Sequence, residues 1–176
     1  EFTTEFEVGA EIGLFNNRIN LEAAAYVQTT DNQTTNVAIP TSTGYTSRYI
    51  NAGKMRGKGL EFDLRLTPLL QFGDFHWNVN ANLTLLDTRV KELAGGAKEM
   101  DLDADYAGYA IVGERYPMIK ATDYVRNPEG KVIVDPVSGL PKNGDIMPMG
   151  TSDPTIRIGL NSVMKWKGFS LAATFD

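Results

Sequence analysis

Between positions 75 and 85 the chain alternates without a break. Phe75, Trp77, Val79, Ala81, Leu83 and Leu85 are apolar, and His76, Asn78, Asn80, Asn82 and Thr84 between them are polar. A period of two places the two sets on opposite faces of an extended strand, whereas a helix repeats its apolar residues at three and four. Leu60, Phe62, Leu64 and Leu66 alternate in the same way with Glu61, Asp63, Arg65 and Thr67. So do Ile19, Leu21, Ala23, Ala25 and Val27 with Asn20, Glu22, Ala24, Tyr26 and Gln28, and Ile156, Ile158, Leu160 and Met164 with Thr155, Arg157 and Asn161. Stretches 6–14 and 169–175 follow the same rule, so the chain reads as all-β and antiparallel.

The length of these runs narrows the fold further. They reach about 10 or 11 residues, where a globular strand has about 5 or 6. Tilted near 40°, such a strand covers roughly 25 Å, the height of the apolar band of a transmembrane β-barrel. The links also alternate in length. Short ones lie near 15–18, 71–74 and 165–168, and long ones near 31–48 and 87–153. Because consecutive strands reverse direction, the short links share one end and the long ones the other, as periplasmic turns and extracellular loops do in such barrels. Phe15, Phe72, Phe75, Trp77, Trp166 and Phe169 all fall within a few residues of a short link, the placement of an interfacial aromatic girdle. Strand boundaries within 87–153 are not set by the pattern. Stretches 109–116, 119–125 and 132–134 are strand candidates, and Pro136, Gly139, Pro141 and Pro148 interrupt the region.

Composition removes several function classes. A formal charge of −5 gives no basic face for nucleic acid. With no cysteine there is no thiolate nucleophile, disulfide or cysteine metal site, and the single histidine, His76, leaves no His-pair metal site. No run of about 18 apolar residues supplies a transmembrane helix. The first residues lack the charged and apolar parts of a signal peptide, which fits a mature domain and an internal fragment equally. Asp101, Asp103 and Asp105 have the spacing of calcium ligands, but Tyr106 and Val112 stand where an EF-hand needs glycine and glutamate, so a solvated acidic loop is the expectation. Gly53, Gly57 and Gly59 precede a strand rather than a helix and read as a bend, not a phosphate cradle. Asn82-Leu83-Thr84 has the form of a glycosylation triplet but lies inside the clearest strand.

Two other readings compete with the barrel. A soluble β-sandwich that binds carbohydrate shows the same alternation, with its apolar faces buried in a shared core. A β-rich hydrolase would need two facing carboxylates, and Glu61 and Asp63 share a strand face. That spacing equally suits a hydrated lumen, and Arg65 continues it, so no enzyme, metal or cofactor is expected. The candidates for substrate contact are Asn78, Asn80 and Asn82, on a polar strand face, with Tyr45, Tyr106 and Tyr109 at the long-link end. Rings there stack on sugars or peptides, or simply pack, as do those of Tyr49 and Tyr124.

A series of short motifs carries a resemblance. Glu5-Phe6-Glu7-Val8-Gly9, then Phe15-Asn16-Asn17-Arg18, Thr43-Gly44-Tyr45, Asn51-Ala52-Gly53 and Lys58-Gly59-Leu60-Glu61 occur in that order. Trp166-Lys167-Gly168-Phe169-Ser170-Leu171 and Phe175-Asp176 complete it. Together they resemble the SusC/RagA class of TonB-dependent outer-membrane transporters over essentially the whole chain. Gly57 stands where that family commonly has asparagine, and Ser152 interrupts its Gly-Asn-Pro-x-Pro pattern. The resemblance implies a late part of a barrel of about 22 strands, with the plug and TonB box elsewhere. It also implies outer-membrane import of a bulky nutrient, an oligosaccharide or peptide, energised by the TonB complex. The implied partners are a SusD-like surface lipoprotein and the lipid bilayer, and no catalytic residue carries over.

Overall fold

The computed structural model describes residues 1–102 and 108–176, apart from the side chains at 38 and 52. Among the described residues there is no α-helix, and ten strands form two antiparallel sheets. The first sheet contains β1 (Phe2–Leu14), β2 (Ile19–Ala38), β3 (Ser47–Phe72), β4 (Phe75–Leu93), β9 (Ile156–Trp166) and β10 (Phe169–Phe175), adjacent in that order. Between β4 and β9 the chain leaves to build a second sheet from β5 (Glu99–Asp101), β6 (Tyr109–Ile111), β7 (Met118–Tyr124) and β8 (Asn143–Thr151). The residues divide into two compact units. One holds Glu1–Gln33, Lys54–Arg89 and Pro154–Asp176, and the other holds Thr34–Gly53 and Val90–Asp153.

Three tight turns reverse the first sheet, and their backbone explains their residues. Phe15, Asn16 and Asn17 all take positive φ, as does Lys167 beside Gly168, and Gly73 takes φ 53° before Asp74. Asparagine and glycine tolerate this left-handed region best, which is why a two- to four-residue reversal is written with them. The links at the other end are shorter than the sequence suggests. The stretch 31–48 is largely strand, because β2 continues to Ala38 and β3 begins at Ser47, leaving a loop closed by the Ile39 N–H to the Thr46 carbonyl at 2.9 Å. Here Thr, Asn and Gln occupy both faces, so the apolar–polar alternation disappears while the backbone ladder persists. Thr34 Oγ1 donates to Asn51 Oδ1 at 3.4 Å across that extension. β4 likewise runs on to Leu93, beyond the expected loop start at 87.

The register sorts the side chains of the first unit into two faces. On one, Val79 pairs with Ser162, Ala81 with Leu160, Leu83 with Ile158 and Leu85 with Ile156. β1 and β2 continue that face with Phe6 opposite Val27, Val8 opposite Ala25 and Ile12 opposite Leu21. None of these residues is buried: Val79, Ala81, Leu83 and Leu85 are half-exposed, Phe6 is 74% exposed and Ile158 63%, and Leu171, opposite Met164 on β10, is 66% exposed. A soluble sandwich would bury this face in a shared core. Instead the sheet shows a broad apolar surface of the kind a soluble monomer does not expose. At the turn end Phe75, Trp166 and Phe169 stand side by side across three strands, and Phe72 stacks on Phe75 with ring centroids 4.8 Å apart. The one polar residue within the apolar face of β9 has a partner: Ser162 Oγ accepts the Trp77 indole N–H at 2.9 Å. The hydrogen bond removes an unsatisfied donor from an apolar environment.

On the opposite face, close approach replaces bulk at Gly59. Atoms of the Tyr26 ring stand 2.5–2.6 Å from where a Cβ of residue 59 would sit, so the ring lies over the glycine of the neighbouring strand. Gly57 is similarly overlain by Gln28 and Thr88. The glycines read from the sequence as a bend therefore make room for side chains of the adjacent strands. Gly53, in the second unit, takes φ 148°, and a Cβ there would collide with the Glu92 carbonyl.

The second unit has a core of its own, made of Val90, Leu93, Leu102 and Ala110, against which Ala97, Met100 and Tyr116 pack. Its strands differ from the sequence expectation. β6 stops at Ile111, and 132–134 enters only isolated bridges. β8 runs through Pro148, where β7–β8 pairing shifts register opposite Lys120. Proline lacks an N–H but is accommodated at such irregularities. Asp135 anchors a turn: backbone N–H groups of Ser138 and Val137 donate to its carboxylate, holding it below the usual carboxylate range.

Three substitutions in the full-length protein test the faces. Val79→Arg puts a charge on the apolar face and is expected to cost about 2–4 kcal/mol in vesicle unfolding, while Asn80→Arg costs far less. Gly59→Val is expected to lose about 1–3 kcal/mol by displacing the Tyr26 ring. In a Tyr26→Ala background most of that loss should disappear, which a double-mutant cycle in the same assay measures.

Candidate lumen wall

The polar face of the first sheet is the candidate site, and its chemistry changes from strand to strand. β1 and β2 bring Glu5 opposite Gln28, Glu7 opposite Tyr26 and Glu11 opposite Glu22. β3 adds Glu61, Asp63 and Arg65 to the same face. Arg65 joins the strands, its Nη2 3.0 Å from Glu22 Oε1 and its Nε 2.8 Å from Asp63 Oδ1. Glu11, Glu22, Glu61, Asp63, Asn82 and Thr84 surround an open groove of about 500 Å³. The wall is acidic over its first three strands, and Arg65 relieves only part of the repulsion.

β4 then supplies amides. Asn80 pairs with Asn161, whose amide donates to Thr174 Oγ1 at 2.9 Å, and the Asn82 side chain lies over Gly159. His76 lies opposite Lys165 and Thr84 opposite Arg157, so positive charge returns on β9. An open face of amides, hydroxyls and carboxylates hydrates readily and offers donors and acceptors to a polar solute. Asp63, one of the two carboxylates considered for hydrolysis, is held as a counter-ion by Arg65. Among the described residues no group of three or more His, Asp or Glu side chains is disposed to hold a metal ion.

The sequence-derived candidates separate. Asn78, Asn80 and Asn82 stand on one face of β4 in the first unit. Tyr45 and Tyr109 belong to the second unit. Tyr45 follows the short 3₁₀ turn Thr41–Thr43 and is 73% exposed. Tyr109, on β6, has one ring face covered by Lys120 Nζ at 4.7 Å, and that ammonium is held by both carboxylate oxygens of Glu99 at 3.0 and 3.1 Å. These contacts occupy one face of the ring within the second unit. Tyr106, with Asp103 and Asp105, lies outside the described residues. The residues missed were the acidic ones: Glu5, Glu7, Glu11 and Glu22 occupy polar positions of recognised strands, and continuing the period across the register would have gathered them.

Comparison with known proteins agrees with this architecture. The family described as TonB dependent receptor-like, beta-barrel matches residues 1–143. TonB-dependent receptor P26 of Formosa agariphila is 25% identical over 200 aligned positions, covering 100% of this chain and 20% of that protein. TonB-dependent receptor SusC of Bacteroides thetaiotaomicron is 29% identical over 116 positions, covering 65% of this chain and 11% of that protein. Among solved structures, the RagAB peptide transporter superposes with a TM-score of 0.78 at 23% identity, covering 98% of this chain and 20% of that chain. That likeness concerns the fold. The chain therefore spans about a fifth or less of the length of these relatives. It belongs to the TonB-dependent receptor β-barrel family, as a SusC/RagA-like stretch of barrel wall.

Proposed function

We propose that this chain forms an arc of a bacterial outer-membrane barrel that imports a bulky nutrient, an oligosaccharide or a peptide, with energy from the TonB complex. The observation that carries the reading is the two-faced sheet: a continuous apolar surface on one side and a hydrated face of carboxylates and amides on the other. Within hydrocarbon, only closed sheets satisfy every backbone donor and acceptor, and a wide barrel has a polar interior. The turns at 15–18, 73–74 and 167–168 would then face the periplasm, and the extended ends of β2, β3 and β4 the exterior. The barrel would work as the SusC-like component beside a SusD-like surface lipoprotein that covers the outer opening. Asn78, Asn80 and Asn82 are the wall residues proposed to meet passing substrate, and Tyr45 is a contact candidate outside the wall.

The test is uptake by a deletion strain complemented with full-length variants, growing on an oligosaccharide or peptide as sole source. Asn80→Trp and Asn82→Trp together narrow the proposed lumen and are expected to slow growth on the polymer severalfold, leaving growth on its monomer unchanged. Loss of TonB is expected to abolish polymer uptake. Unchanged polymer growth in the double variant, with normal barrel folding, would count against passage along this wall.

A further inference from the structure

We propose that the polar face of β1 to β3 selects cations, and that the groove beside Tyr26 receives a lysine or arginine side chain of an imported peptide. The inference rests on the import reading above and names the substrate class of that wall. Within the first unit, Glu5, Glu7, Glu11, Glu22, Glu61 and Asp63 share this face with one cation, Arg65. Arg65 is committed to Glu22 and Asp63, at 3.0 and 2.8 Å. Glu7, Glu11 and Glu61 meet no ammonium or guanidinium at ion-pair distance among the described residues. The face is left with a negative excess that its own side chains do not neutralise.

A second feature of the same face is independent of the charge. Among its positions in the first unit, Tyr26 is the only phenylalanine, tyrosine or tryptophan. Glu7 is its register partner on β1, and on β3 the tip of its ring lies over Gly59. That contact holds the ring in place, yet the side chain is only half-buried. Beside it the register pair Gly9 and Ala24 adds no bulk, and this floor opens the groove of about 500 Å³ between Glu11, Glu61 and Asn82. A ring with a carboxylate on either side attracts an organic cation twice, through its π face and through charge. A cleft lined by one sign of charge also concentrates solutes of the other sign. Lysine and arginine fit the shape as well. Their apolar stems can lie along the ring and the small-residue floor while the charged head reaches the carboxylates. The peptide's backbone finds donors and acceptors in Asn80 and Asn82 on β4.

The test titrates the full-length protein in nanodiscs with three peptides of equal length, differing only in carrying Lys, Gln or Glu at alternate positions. Uptake of the same peptides by the complemented strain is followed in parallel. The wild type is expected to bind the Lys peptide about tenfold more tightly than the Glu peptide at low ionic strength, and added salt should narrow the gap. Glu11→Gln with Glu61→Gln should shrink that ratio by about fivefold. Tyr26→Leu should weaken the Lys peptide by about threefold, while Tyr26→Phe, which keeps the ring, should retain it. Asp74→Asn with Glu129→Gln, which removes equal charge at turns away from the groove, should leave the ratio unchanged. Barrel folding of each variant is checked by heat-modifiable gel mobility. Equal affinity for the three peptides, or an unaltered ratio in the Glu11/Glu61 variant, overturns the proposal, and import reading still stands if cells take the peptides up. Tighter binding of an oligosaccharide of cationic amino sugars than of the Lys peptide overturns the peptide assignment. Cells that import neither peptide nor oligosaccharide through the folded protein overturn both readings.

Discussion

The backbone ladder is the interaction on which everything else depends. Hydrocarbon offers no hydrogen-bond partner, so each N–H and C=O at membrane depth needs another strand, and an unpaired group costs several kcal/mol. Between its edges the first sheet meets that demand through pairing from β1 across to β10, and the outer sides of those two strands require further strands of a closed barrel. Its side chains are then free to differ completely between the faces, since neither face is required to hold the strands together. Among the described residues the buried apolar cluster accordingly lies in the unit containing β5 to β8, where Val90 and Ala110 are completely buried, and Met55 is the buried hydrophobic residue of the first unit.

How much was legible in the sequence follows from the same separation. Where one face meets an apolar medium and the other water, period two is written into the residues, and 75–85 can be read by eye. Where both faces are polar, as along the far end of β2, the ladder persists but leaves no mark on the apolar pattern. The 31–48 link was overestimated for that reason. β8 escaped because Pro148 signals a break, and only the tertiary register shift opposite Lys120 makes room for it. The amide part of the wall was visible because Asn78, Asn80 and Asn82 are consecutive on one strand. The acidic part was not assembled, since Glu11, Glu22 and Asp63 come together only through pairing of three strands.

The wall's electrostatics give the face a direction. Carboxylates dominate β1 to β3, amides occupy β4, and Arg157 and Lys165 bring positive charge on β9. Arg65, bridging Glu22 and Asp63, limits repulsion where the acidic strands meet and fixes side chains that would otherwise spread into the groove. Exposed ion pairs contribute little to stability individually. Their effect here is on the shape and potential of a surface along which a polar solute could move.

The central claim is that adjacent residues of one strand face different media, and site-directed spin labelling tests it most directly. Labels at Val79 and Asn80 in the full-length protein, reconstituted in vesicles, are compared for collision with oxygen and with a water-soluble nickel relaxant. The account predicts that Val79 is relaxed by oxygen and Asn80 by the polar agent, with the contrast repeating at Ala81 and Asn82. Equal accessibility at both positions, or the reverse order, would contradict a membrane-spanning wall with this face toward lipid.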